Sequence, residues 1–124
     1  MGQLIERSCL DLVDCLKDGE TSISGLEKIS RLKEGAKRKQ YVLLDSDDLK
    51  LFIAEQDSAP EEWKEKIDGK TMQIYFHGKL EVDENTDEER YRFLWWSGKR
   101  WQTGSNVATA EQNAATPSAI IRVR

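Results

Sequence analysis

The chain has 124 residues, of which 34% are charged, and a formal net charge of −4 at pH 7. This length predicts one domain, residues 1–124, and the ten aromatic residues exclude an extended disordered chain because they give the fold a core to bury. No apolar run approaches the ~18 residues of a membrane span, and the start MGQLIERS lacks the basic-then-apolar order of a signal peptide. We therefore expect a cytoplasmic protein without a membrane partner.

The charges are unevenly distributed along the chain. Residues 45–89 carry 15 acidic and 5 basic groups, whereas residues 90–124 carry 6 basic groups and 1 acidic group. Segregated charge of this kind indicates separate acidic and basic surfaces for partners. The alternative is that the two segments neutralise each other within the fold.

The first predicted helix covers about residues 3–17. Its apolar stripe recurs at helical spacing and consists of Leu4 or Ile5, Cys9, Leu12 and Leu16. On such a helix Cys9 and Cys15 lie on different faces, about 9 Å apart along the axis, so a disulfide between them is excluded. With one histidine in the chain, a zinc site of four Cys and His ligands from one subunit is excluded too, and no cofactor is predicted.

Three further helices are predicted from capping residues followed by apolar residues at helical spacing. The first begins at Ser24, faces inward with Leu26, Ile29 and Leu32, and ends before Gly35. The next follows the cap candidates Asp45 to Asp48, and the last begins at Ser58 and carries Trp63 and Ile67. The connection between the first two helices of the chain is too long for a helix-turn-helix motif.

The strands are predicted mainly in the second half. Tyr41–Leu44 is a short strand, residues 74–82 alternate apolar and polar residues, and Ile120–Val123 is a last strand. The segment Ser105–Ser118 contains one candidate helix, Val107–Ala114. The sequence thus predicts an α+β fold, in which three to four short helices, mostly from the N-terminal half, pack on an antiparallel sheet of about four to five strands, mostly from the C-terminal half.

The stretch Arg90–Gly104 (RYRFLWWSGKRWQTG) holds three of the four tryptophans among four cations. It predicts a β-hairpin with the two-residue turn Ser97-Gly98, because glycine supplies the positive φ that such turns need. In this register Trp96 and Trp101 share one face, and that face gains Tyr75 and His77 if Ile74, Phe76, Leu80 and Val82 of the preceding strand lie on the opposite side.

We take this aromatic and basic face, with the adjacent Arg100, as the candidate binding surface. Its predicted residues are Tyr75, His77, Arg92, Trp96, Lys99, Arg100 and Trp101. Three interpretations compete: helices cover the face, or it binds a protein through hot-spot residues, or it stacks bases and binds phosphates of a nucleic acid.

An acidic loop supplies the second candidate surface. Its carboxylates are Asp83, Glu84, Asp87, Glu88 and Glu89. The loop lacks the glycine and the alternating ligands of an EF-hand, so no metal is predicted there. Instead we expect it to contact a basic partner.

The chain contains no recognisable catalytic constellation. It lacks GxSxG, HExxH and glycine-rich phosphate motifs, and His77, near Tyr75 and Lys79, is its single candidate for acid-base chemistry near neutral pH. We therefore expect no enzyme. The sequence favours a small accessory protein-binding module, of the inhibitor or immunity type, and the alternative is single-stranded nucleic-acid or nucleotide binding. The partner is another protein or a second copy, with the hairpin of one copy against the acidic loop of the other.

Overall fold

The structure, a computed structural model, describes residues 9–38 and 41–122 and shows an α+β fold. Its helices are α1 (Gly25–Lys37), α2 (Ser46–Ala54) and a 3-10 helix (Glu61–Lys64). Its strands are β1 (Leu10–Val13), β2 (Ser22–Ile23), β3 (Tyr41–Leu43), β4 (Lys66–Ile67), β5 (Lys70–Thr71), β6 (Ile74–Val82), β7 (Glu89–Trp96), β8 (Trp101–Val107), β9 (Gln112–Asn113) and β10 (Ser118–Arg122). No helix of the described ranges is both long enough and apolar enough to span a bilayer.

A six-stranded mixed sheet organises the molecule. Its order is β1-β10-β6-β7-β8, and β3 also pairs with β10. The expectation of a wholly antiparallel sheet is wrong at one place, because β10 runs parallel to β6, with Ser118 opposite Tyr75. Residues 108–117 carry the chain back across the sheet before β10 begins, and Pro117 O accepts the N–H of Tyr75. The last strand therefore lies inside the sheet rather than at its edge.

The predicted helix over residues 3–17 is wrong in its described part. Residues 3–8 of that prediction lie outside the described ranges, but Leu10–Val13 is the edge strand β1 and Cys15 has a positive φ of 62°. Residues 10–13 form a strand rather than a helix because they pair with β10, where Leu12 opposes Ala119, far away in the sequence. A short apolar run has no periodicity of its own that would distinguish the two states. Cys9 and Cys15 are not disulfide-bonded.

Helix α1 begins where the sequence predicts. The Ser24 side chain accepts the N–H of Glu27 at 3.1 Å, which caps the first turn. However, Gly35 does not end the helix, which continues to Lys37. Glycine is needed at this position because the Tyr41 ring occupies the space that a Cβ would take. Leu26 is 58% exposed, whereas Lys28 is fully buried, so the inward stripe is rotated from the predicted one.

The two later helical predictions have different outcomes. Helix α2 is confirmed, with a complete capping box in which the Asp45 and Asp48 side chains bind each other's backbone N–H. The helix predicted from Ser58 is one 3-10 turn, and the chain enters β4 directly after it. Trp63 is buried there as a core residue. The helix predicted for residues 107–114 is absent, since β8 reaches Val107 and β9 follows.

Both faces of the sheet are covered, by different elements. The α2 face packs on α2 and the 3-10 helix, and its buried residues include Leu10, Leu44, Leu49, Phe52, Trp63, Met72, Ile74, Phe76, Leu94, Trp101 and Ala119. The α1 face packs on α1 and on residues 108–117, and its buried residues include Leu32, Tyr41, Tyr75, Tyr91, Ala108 and Ile120.

An irregularity in β6 changes which of its residues point to each face of the sheet. Between Phe76 and Glu81, four residues of β6 oppose a single residue of β7. The three extra residues invert the alternation of side chains, because alternation has a period of two. Leu80 and Val82 therefore do not continue the buried face, as the sequence predicted, and are 38% and 56% exposed.

Candidate binding surface

The tryptophan hairpin forms, with a longer loop than its sequence predicts. Residues 97–100 connect the strands, so Trp96 opposes Trp101 instead of Lys99. Ser97 N–H donates to Arg100 O at 3.1 Å, and Gly98 takes the predicted positive φ, 97°. The register differs by two residues, which keeps the same side chains on the same face. Trp96 and Trp101 do share a face, with their ring centroids 5.2 Å apart.

Trp101 is a core anchor of this hairpin rather than a surface residue. It is 1% exposed and belongs to the α2 face. Gln56, just beyond α2, binds its backbone twice, accepting its N–H at 2.6 Å and donating to its C=O at 3.3 Å. The hairpin is therefore fixed to the helical layer at the base of its loop.

The accessible part of the predicted surface is the hairpin tip, which we define as Trp95 to Arg100. Trp95 and Trp96 are half-buried and point to opposite faces, and Lys99 and Arg100 are exposed. Within the described part of the chain, neither of these two cations forms an ion pair. The Lys64 ammonium lies over the Trp96 ring, 4.2 Å from its centroid, and so covers part of it.

Tyr75 and His77 do not lie on the face of Trp96 and Trp101. They point to the α1 face, because Tyr75 opposes Phe93 in the observed pairing. Both are buried in a row of rings, with centroid distances of 5.3 Å from Tyr75 to His77 and 4.7 Å from His77 to Tyr91. The prediction that placed them beside the tryptophans rested on the wrong partner face for β6.

A buried polar group lies next to this row, and we call it the Lys28 cluster: Lys28, His77, Gln112, Thr116 and Ser118. The Lys28 ammonium donates to Gln112 Oε1 at 3.3 Å and to Thr116 O, and His77 Nδ1 is hydrogen-bonded to Ser118 Oγ at 2.6 Å. These bonds join α1 to residues 108–118. Lys28 is not among the residues predicted to face inward, although it lies on one helical stripe with Leu32 and Gly35.

Burial controls the protonation of this cluster. It lowers the pKa of Lys28 to about 8. Burial, and next the charge of Lys28, lower the pKa of His77 to about 3. The imidazole is thus neutral at pH 7, and a proton exchange near neutral pH, the chemistry that made His77 the candidate acid-base residue, lies outside its titration range.

Arg92 lies away from the hairpin tip, within the paired part of the antiparallel meander formed by β6, β7 and β8. Its Nε donates to both carboxylate oxygens of Glu81, at 3.0 and 2.9 Å. This ion pair engages the Nε–H donor of Arg92 within the molecule. Of the predicted binding residues, the structure therefore brings together Trp96, Lys99 and Arg100, with Trp101 beside Trp96 but buried, and places Tyr75, His77 and Arg92 elsewhere.

The acidic loop lies at the opposite end of β7. Asp83 organises it, accepting the N–H of Asn85 at 2.8 Å through its carboxylate, and Glu88 partly neutralises its charge with Arg90 at 2.9 Å. Among residues 9–38 and 41–122, no three His, Cys, Asp or Glu side chains converge as a metal site. The seven steps of β7 separate Glu89 from Trp96 by about 24 Å. The two predicted surfaces are thus two ends of one meander.

Comparisons with known proteins do not extend this description. The chain matches no family model, no curated protein and no solved structure.

Proposed function

We propose that this protein is a small protein-binding module that docks onto an acidic surface of its partner through the hairpin tip. One observation carries the proposal. Two half-buried tryptophans, Trp95 and Trp96, immediately precede an exposed loop whose Lys99 and Arg100 have no ion pair with any described residue. Trp and Arg are the residues most enriched at interface hot spots.

The hairpin tip is suited to docking because it is held in place before a partner arrives. Gln56 fixes the backbone of Trp101, and the Trp101 ring packs in the core. Less conformational entropy is lost when a surface is ordered in advance, so more of the contact energy appears as affinity. Docking of such a tip into the groove of an enzyme would inhibit it, which is the form an inhibitor or immunity-type role would take.

The homodimer alternative, tip against acidic loop, requires two copies in opposite orientations because these surfaces lie at opposite ends of β7. Direct pairing of two β8 edges is disfavoured. Gln56 occupies the outward N–H and C=O of Trp101, Arg90 donates to Ser105 O at 3.1 Å, and the Asn106 side chain accepts the N–H of Val107. Occupied edge groups are a protection against strand addition.

Nucleic-acid binding remains the second candidate function, and Trp95 with Lys99 and Arg100 supports it. A base needs an open ring face for stacking, and Lys64 already occupies one face of Trp96. The net charge of −4 also opposes a polyanion. We therefore place protein binding first.

The test compares three baits on a lysate of the cells that make this protein. They are the native chain, the tip variant Lys99→Ser/Arg100→Ser, and the matched control Lys50→Ser/Lys70→Ser, which removes two exposed cations elsewhere. We expect one partner to be retained by the native chain and the control and lost with the tip variant. Equal retention by all three baits would refute docking through the tip.

A titration with a short single-stranded oligonucleotide at ~50 and ~200 mM salt separates the two candidate functions. Salt-sensitive quenching of tryptophan fluorescence, abolished by Trp95→Ala, would favour nucleic acid. Under our proposal the fluorescence does not change.

A further inference from the structure

A second surface, on the opposite edge of the sheet from β8, has the opposite charge. Two neighbouring depressions of about 630 and 290 Å³ share Leu12 and Glu62 and form one groove between β1 and the 3-10 helix. The floor of this groove is apolar and consists of Leu10, Leu12, Pro60, Trp63, Ile67, Met72, Ala114 and Pro117.

Carboxylates border the groove. Asp11, Asp14, Glu61, Glu62 and Glu65 line it, with Lys66 as the one cation among its described lining residues. Asp11 and Glu61 have cationic partners within the chain, Arg122 at 2.6 Å and Lys64 at 3.0 Å. Asp14, Glu62 and Glu65 form no ion pair with a described residue, so the rim has an excess of negative charge.

The strand beside this groove has an open edge. Ala119 O accepts the N–H of Leu44, so the odd-numbered residues of β10 bond towards β3, and the even-numbered ones bond towards β1. In the observed register this leaves the backbone groups of Leu10 and Leu12 pointing away from the sheet. The Asp11 carboxylate accepts the outward N–H of Leu12 at 2.8 Å. No described residue bonds to the N–H and C=O of Leu10 or to the C=O of Leu12, so these groups can pair with an added strand.

We propose that this groove binds an extended basic segment of a partner protein, which adds as a strand to β1. Main-chain hydrogen bonds to Leu10 and Leu12 would fix the register. Alternate Lys or Arg side chains would lay their aliphatic stems on the apolar floor and place their charges at Glu62 and Glu65. This site is independent of the hairpin tip, which has the opposite charge and lies at the other edge.

The probe is a fluorescein-labelled heptapeptide in which lysine alternates with valine, and fluorescence anisotropy measures its affinity for the full chain. The rim variant Glu62→Lys/Glu65→Lys should raise its Kd about tenfold or more, since two favourable charge contacts become repulsive. The matched control Glu55→Lys/Glu111→Lys makes the same change in net charge at exposed sites outside the groove and should leave Kd within about twofold.

Backbone methylation of the peptide separates strand addition from simple charge attraction. N-methyl groups on one set of alternate residues face β1 and should abolish binding, while those on the other set face solvent and should leave it intact. Equal effects of the two methylated peptides, or equal effects of the rim and control variants, would overturn the proposal.

A variant that begins at Cys9 tests the nearest competing occupant. If the heptapeptide binds only this shortened chain, the groove is taken by residues 1–8 of the protein itself, and the proposal of a foreign segment is refuted. Equal affinities for the shortened and full chains would support it.

Discussion

The hairpin tip and the Lys28 cluster contain the same kinds of side chain, aromatic rings and cations, in opposite surroundings. In the Lys28 cluster the ammonium is fully buried and donates to two acceptors, and His77 is hydrogen-bonded to Ser118. At the tip, Lys99 and Arg100 are exposed and form no ion pair within the described chain. Composition therefore does not distinguish a buried structural set from an exposed set of the same kinds of side chain; the partners of the polar atoms do.

This contrast follows in part from the alternation of side chains along the strands. Neighbouring residues of β6 and β7 point to opposite faces, and only the α1 face is covered by α1 and residues 108–117. Gly25 allows this cover to approach, since a Cβ there would lie 2.1 Å from Ala108 O.

The largest effect is expected at the anchor of the tip. Trp101→Ala should lower the free energy of unfolding by about 3–5 kcal/mol, because it leaves a cavity in the α2 face. Trp101→Phe should cost less, since it keeps much of the ring volume and removes an indole N–H that has no partner in the structure. Urea unfolding measures both variants. Equal losses would contradict the role of packing at this site.

The second prediction concerns the buried cation. Lys28→Met should destabilise the fold by about 1–3 kcal/mol, because it leaves the oxygens of Gln112 and Thr116 without their donor. Lys33→Met, on the exposed side of the same helix, should change stability by less than about 0.5 kcal/mol. Thermal unfolding at matched pH compares the two. If Lys28→Met left the stability unchanged, the hydrogen bonds of the Lys28 cluster would contribute no more to stability than the exposed side chain of Lys33.

The third prediction uses pH. The pKa of His77 is lowered from 6.5 to about 3 in the folded protein, so the unfolded chain binds a proton first as the pH falls. Stability should decrease below pH 6.5, by up to about 1.4 kcal/mol per pH unit from this group. His77→Gln, which does not titrate, should flatten the slope between pH 6.5 and 5. If urea denaturation gave the same pH dependence of stability for His77→Gln and the native chain, the pKa of His77 would not be lowered by burial.

The smallest effect on stability is expected at the tip itself. Lys99→Ser/Arg100→Ser should change the free energy of unfolding by less than about 0.5 kcal/mol, since neither side chain has an ion pair to lose. Partner binding should nevertheless be lost. A large destabilisation by this variant, seen in the same urea titration, would place the tip with the structural set and remove the basis for the docking proposal.

Local signals allowed part of this architecture to be predicted. The caps Ser24 and Asp45 place α1 and α2 correctly because capping involves residues only two or three positions apart. The hairpin was likewise found, but its loop is two residues longer, since Trp101 is positioned by the core and by Gln56. Strand β1 was missed because only its distant partner β10 makes it a strand.

The candidate site was predicted in part for the same reason. The sequence predicted Lys99 and Arg100 directly after the Ser97-Gly98 turn, opposite Trp96 and Trp95, whereas the structure places both in the loop itself. The sheet face on which Tyr75 and His77 lie depends on the register in which β6 pairs with β7. In addition, the irregularity after Phe76 means that the alternation of side chains cannot be extended along the whole strand. No pattern within β6 encodes its register with β7 or the position of the irregularity, since both depend on neighbouring strands.

The separation of the acidic loop from the hairpin tip has a consequence for the kinetics of encounter. Opposite charges about 24 Å apart give the molecule an electric dipole along β7, on top of its net charge of −4. Under the docking proposal, the field of an acidic partner would exert a torque on this dipole and turn the tip towards the partner during diffusion. Two proteins of like net charge would then meet with their complementary faces already opposed.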